Sequence, residues 1–352
     1  MANRPDPEAW SSQSHPHQPA PHPSSLPPTR ATAVVAAAPG TPFHRMARTP
    51  LHRWWRPLAG TLLIVWLILP ATLAVMFIAA VAESLDGGRS VFDALGDAAA
   101  GGPIGELAVN LILLSALTPV VLLAARVVQR RPAGSVISVV GRVRWRWLST
   151  CCGLAFGYCV VSFVLLSGMF ALFGDEPVRP AGQWPGGTQF LLAATVIVVL
   201  VPLQATAEEV AFRGWLVQAI GAWTLEGRPG AISRTAGVLL RTPWAAILVS
   251  AALFTSMHGY TGWAMLNIFC FGAVAGWLAV RTGGLEAGIA LHIFTNLMGL
   301  LLLAASGRIS DALRQGGQPW SSFAAGMLAL GLYALAVVLV ARRRRTATVS
   351  PS

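Results

Sequence analysis

The chain has 352 residues, of which 55% are hydrophobic and only 11% charged, with a mean hydropathy of +0.61. An ordinary soluble chain carries about 25% charged residues, so a soluble globular protein is excluded and most of the surface must face lipid. The formal net charge of +11 does not point to nucleic acid, because the arginines flank apolar spans instead of interleaving with aromatics on a polar domain.

Residues 1–50 are rich in Pro, Ser, Ala and His without apolar periodicity, so they are expected to form a disordered tail that cannot offset its ordering entropy by burial. His15, His17 and His22 alternate with prolines there and read as low complexity, not as a metal site. The tail is too long and polar for the n-region of a cleaved signal peptide, so the first apolar span is expected to remain in the mature chain. From 51 to 345 the sequence reads as a membrane domain, followed by a short tail at 346–352.

About 20 apolar residues cross a bilayer. On that basis spans are expected at 57–82, 104–128, 148–173, 190 into the stretch 206–216, 243–258, 263–280, 285–304 and 323–340. The fifth is short, and the fourth is long with a possible kink at Pro202. The fold class is all-α: a polytopic membrane bundle of about eight transmembrane helices. Arg45, Arg48, Arg53, Arg56, Arg126, Arg130, Arg131, Arg142, Arg144, Arg146, Arg228, Arg234, Arg241, Arg281 and Arg342 to Arg345 all fall on one side of such a bundle. By the positive-inside rule both termini are expected to be cytoplasmic in a multi-pass protein of the cell membrane. The alternating run Arg142-Val143-Arg144-Trp145-Arg146-Trp147 suits the headgroup interface. Glu106 and Glu286 are also assigned to interface positions. Cys151, Cys152, Cys159 and Cys270 lie in apolar segments without paired spacing and read as membrane packing.

The costliest stretch is Thr206-Ala207-Glu208-Glu209-Val210-Ala211-Phe212-Arg213, since charge at bilayer depth is expensive and usually functional. Glu209 and Arg213 share a helix face and can neutralise each other, while Glu208 is rotated away by about 100° and is free for chemistry. After His52 the only histidines are His258, at the end of the fifth span, and His292, in the seventh, one turn before Asn296. Two carboxylates, two imidazoles and an amide on three helices could activate water and stabilise a tetrahedral intermediate.

These residues resemble the CAAX protease and bacteriocin-processing (Abi) family, which includes the type II CAAX prenyl endopeptidases. Its E-E-x-x-x-R, F-x-x-x-H and H-x-x-x-N patterns appear in order as Glu208-Glu209 with Arg213, Phe254 with His258, and His292 with Asn296. The core of the resemblance runs over about 188–304. It implies an eight-span helical core in which Glu208 and His258 activate water, His292 and Asn296 form the oxyanion hole or hold a metal, and Glu209 and Arg213 brace the site. It also implies a metalloprotease, with His258 and His292 as ligands of a divalent metal such as zinc. The expected reaction is hydrolysis of a peptide bond in a membrane-associated protein or peptide precursor. Lipid is the other expected partner, and nucleic acid is not one. Two rivals are an ion-coupled transporter, which inverted repeats would favour, and a non-catalytic scaffold or immunity protein, which loss of a motif residue would favour. Neither feature is visible.

Overall fold

The computed structural model describes residues 34–87, 102–173, 182–223, 237–238 and 240–352. Its long elements are all helical: α1 Arg56–Gly87, α2 Gly102–Ser115, α3 Leu117–Val127, α4 Trp145–Phe173, α5 Gly187–Glu209, α6 Val217–Gly221, α7 Pro243–Ser256, α8 Gly262–Thr282, α9 Glu286–Ala305 and α10 Trp320–Arg343. Among the described residues seven stretches are long and apolar enough to cross a membrane, and α7 is a shorter apolar helix. This is an all-α, multi-pass membrane bundle. Little of α1 and α4 is buried within the protein, and Leu62, Leu69 and Leu73 on α1, with Phe156, Val160 and Val164 on α4, face outward.

The second span is two helices because Pro119 stands in the first turn of α3, where its missing N–H is tolerated but cannot continue the ladder of α2. The fourth span departs from regular helix at Val210–Leu216, a π-helical stretch between α5 and α6, and Pro202 lies inside the α-helical part. Short π segments commonly mark functional sites, and this one follows directly on Glu208 and Glu209. The Ser250 hydroxyl on α7 donates to the Phe212 carbonyl within it.

The polar ends of the chain depart from expectation. Residues 34–50, expected to close a disordered tail, are packed: Phe43 and Met46 are buried in the core cluster that includes Val210 and Trp215. A Cβ at Gly221 would collide with the His44 carbonyl, so that glycine lets α6 approach the segment. The apolar residues of this short stretch give it burial that the Pro/Ser-rich part cannot supply. Residues 1–33, with His15, His17 and His22, lie outside the described residues. The last residues are packed too: Val349 pairs with Pro42, and Thr41 donates its backbone N–H to Ser350 Oγ. The two ends of the described chain therefore meet at one end of the bundle.

That end carries the arginines. Arg144 holds Glu286, at the start of α9, through two bonds of 2.8 and 2.6 Å. Glu286 is thus a fully buried ion-pair partner. Gly283, left-handed at φ +71°, ends α8 just before it. Arg131 is fully buried, its guanidinium donating to Gln129, Ser135 and Gln218, and burial lowers its pKa to about 9. Arg89, Arg228 and Arg234 are outside the described residues.

Candidate active site between α5, α7 and α9

The polar residues converge because each is carried inward by a different helix. Glu208 and Glu209 end α5, Phe254 sits one turn before His258 on and after α7, and His292 and Asn296 occupy adjacent turns of α9. Glu208, His258, His292 and Asn296 all line one cavity of about 510 Å3. The imidazoles, which span counting puts at different depths, are joined by Phe254: its ring centroid is 4.5 Å from that of His258 and 6.0 Å from that of His292.

Glu209 and Arg213 are both 0% exposed and lie 2.9 Å apart as an i,i+4 pair. The Arg213 guanidinium also sits 4.0 Å over the Phe254 ring, a cation–π contact in a desolvated setting. Two glycines make room for this pair. A Cβ at Gly288 would lie 2.7 Å from Glu209 Oε2, and one at Gly272 would lie 3.0 Å from Arg213 Nη2.

His292 stands between the two carboxylates. Its Nδ1 is 3.0 Å from Glu209 Oε1, and its Nε2 is 3.5 Å from Glu208 Oε2. A carboxylate paired with arginine can only accept, so Nδ1 donates to Glu209 while Nε2 is turned to Glu208. His258 is oriented the same way, since its Nδ1 lies 2.7 Å from the Phe254 carbonyl oxygen, which again can only accept. Glu209 thus braces both Arg213 and His292, a double role that spacing alone does not reveal.

Among the cavity residues that were not singled out from the sequence are two amides carried by apolar spans, Gln204 and Asn110. The Asn296 amide donates to Gln204 Oε1 at 3.1 Å, and Asn110 of α2 also lines the cavity. Each is a lone amide in an apolar span, and polarity at bilayer depth is the signal that could have found them. Gln204 is one helical turn before Glu208.

Glu208, His258 and His292 share the cavity, yet among the described residues no group of three or more His, Cys, Asp or Glu side chains is gathered closely enough to hold a metal ion. A zinc centre takes three or four ligands, so the residues as arranged do not fit one.

Residues 188–298 match the family model described as type II CAAX prenyl endopeptidase Rce1-like. The match contains every motif residue named above. The chain is also 23% identical over 282 residues to the uncharacterized protein YyaK of Bacillus subtilis (strain 168), covering 76% of this chain and 86% of that protein. No solved structure matches. The resemblance read from the motifs is thus supported over the matched segment, as a likeness to a family of CAAX-type endopeptidases.

Proposed function

We propose that the protein is an intramembrane endopeptidase in which Glu208 is the general base. The observation that carries this is the pairing of Glu208 Oε2 with His292 Nε2 at 3.5 Å in the wall of the cavity. Two acceptors so placed are both satisfied by one water that donates a hydrogen to each. Glu208 takes the proton as the water oxygen attacks the peptide carbonyl carbon. The second N–H of Asn296, whose first is fixed by Gln204, donates to the oxygen as it gains negative charge. When the tetrahedral intermediate collapses, the C–N bond breaks and the proton held by Glu208 passes to the leaving amine nitrogen. His258 Nε2 lies on the same wall and can hold the water or the departing amine.

The same cavity bears on how substrate arrives. It extends along α9 from His292 to Leu303 and on to Leu313 and Gln315, and those last two side chains are exposed. Since α9 starts at the arginine-bearing end and its 20 residues span about 30 Å at 1.5 Å per residue, this mouth is at the opposite end. With the arginines on the cytoplasmic side of the cell membrane, a membrane-associated peptide precursor enters from the outer side. A transporter would use the same Glu and His as a relay, but it has no need of an amide held beside the base.

Comparative peptidomics of membranes from cells carrying the wild type or Glu208→Gln tests the reading. Fragments with a common cleavage site should vanish with the variant while the protein level is unchanged. Unaltered fragments would rule out Glu208 as the base. Labelling with a membrane-impermeant maleimide tests the orientation: Gln315→Cys should react in intact cells and Arg345→Cys only after permeabilisation.

A further inference from the structure

At the arginine-bearing end, away from the catalytic cavity, a second cavity of about 470 Å3 is built from the entry to α4 and the exit of α10. Three of its wall residues are Arg142, Arg146 and Arg344. Arg344 reaches across the two segments to the Arg146 carbonyl at 3.5 Å. Arg144 lines the cavity as well, but its charge is already matched by Glu286 at 2.6 Å. No ion pair involves Arg142, Arg146 or Arg344 among the described residues, so three arginines without a carboxylate partner line one concavity.

The surroundings of this cavity are those of a lipid headgroup. Trp145, 72% exposed, stands in its wall at the level where indole rings favour the membrane–water boundary. Directly along the two helices that leave the cavity, the surface is apolar: Phe156, Val160 and Val164 of α4 and Leu332, Leu335 and Leu339 of α10 are exposed. We propose that the cavity formed by Arg142, Arg146 and Arg344 binds the phosphate of an anionic phospholipid, whose acyl chains lie along α4 and α10. Guanidinium groups match phosphate oxygens with paired hydrogen bonds. A zwitterionic lipid presents the same phosphate with a cation beside it, which three unmatched arginines disfavour.

The site is tested on the full chain, purified and delipidated in a neutral detergent, by following thermal unfolding as phosphatidylglycerol, phosphatidylcholine or inorganic phosphate is added. Phosphatidylglycerol alone should raise the unfolding midpoint. In Arg142→Gln/Arg146→Gln/Arg344→Gln the lipid concentration needed should rise roughly 100-fold, as expected when three arginine charges near an anionic surface are lost. A control variant, Arg281→Gln/Arg342→Gln/Arg345→Gln, removes the same charge from a smaller neighbouring cavity and should respond as the wild type does. Native mass spectrometry of the wild type after phosphatidylglycerol is added back, which depends on no variant, should show one retained phosphatidylglycerol. Equal loss in the two triple variants, equal stabilisation by phosphatidylcholine or by inorganic phosphate, or no retained lipid would each overturn the proposal.

Discussion

Glu208 and Glu209 are neighbours in the chain with opposite surroundings. Glu209 is locked by Arg213 and His292, while Glu208 lines the cavity with its Oε2 3.5 Å from His292 Nε2. Glu208→Gln should therefore abolish peptide cleavage and leave the detergent unfolding midpoint near that of the wild type, because the amide keeps size and hydrogen bonding but takes no proton. Arg213→Ala should do something different. It strands Glu209 as an unpaired buried charge, a loss of about 3–5 kcal/mol, so the yield of folded protein should drop sharply. Gln204 acts one step further out, by holding the Asn296 amide at 3.1 Å. Gln204→Leu should reduce kcat far more than it raises KM, and Gln204→Glu, which keeps an acceptor, should restore part of the rate. Steady-state kinetics on a cleaved precursor would separate the two, and an unchanged kcat in Gln204→Leu would remove Gln204 from the site.

At the level of the helices, the site depends on close approach between α9 and the end of α5. Gly288 permits it, since a methyl group there would press within 2.7 Å of Glu209 Oε2. Gly288→Ala should push that carboxylate off His292 and Arg213 together, lowering cleavage at least as much as stability. A variant with wild-type activity would show that the carboxylate has room to move. The spans themselves were legible because about 20 apolar residues are needed to cross a membrane; α7, at 14 residues, is shorter than that and was legible only as an apolar run. The π-helical stretch at Val210–Leu216 was not. Its carbonyls are satisfied in part from another helix, by Ser250, and no local propensity encodes a partner supplied from elsewhere.

Across the whole molecule, the packed segment after Val34 and the strand-like contact between Pro42 and Val349 tie both ends of the described chain together. His44, inside this clasp, has its pKa lowered from 6.5 to about 4 by burial and then by Arg45. His52 is lowered as well, by burial and then by Arg48. In each case the unfolded chain takes up a proton that the folded chain refuses. Stability from these groups is thus present above their ordinary value and is lost as pH falls from about 6.5 towards about 4. Unfolding midpoints measured across that interval should fall less steeply for His44→Gln/His52→Gln than for the wild type. Equal slopes would mean that the clasp does not stay closed around the histidines.

The sequence by itself determined the membrane class, the helical spans, the side on which arginine accumulates and the identity of the three motifs. All of these rest on local quantities: apolar length, charge placement and the one-turn spacing that puts Glu209 beside Arg213. What only the tertiary structure decided is which groups face one another. His292 between Glu208 and Glu209, Gln204 on Asn296, Arg144 on Glu286 and the buried Phe43 are contacts between residues far apart in the chain. Such partners are selected by how the helices pack against each other in the assembled bundle. No single span carries that information, because an isolated apolar helix looks the same whichever of its faces turns inward.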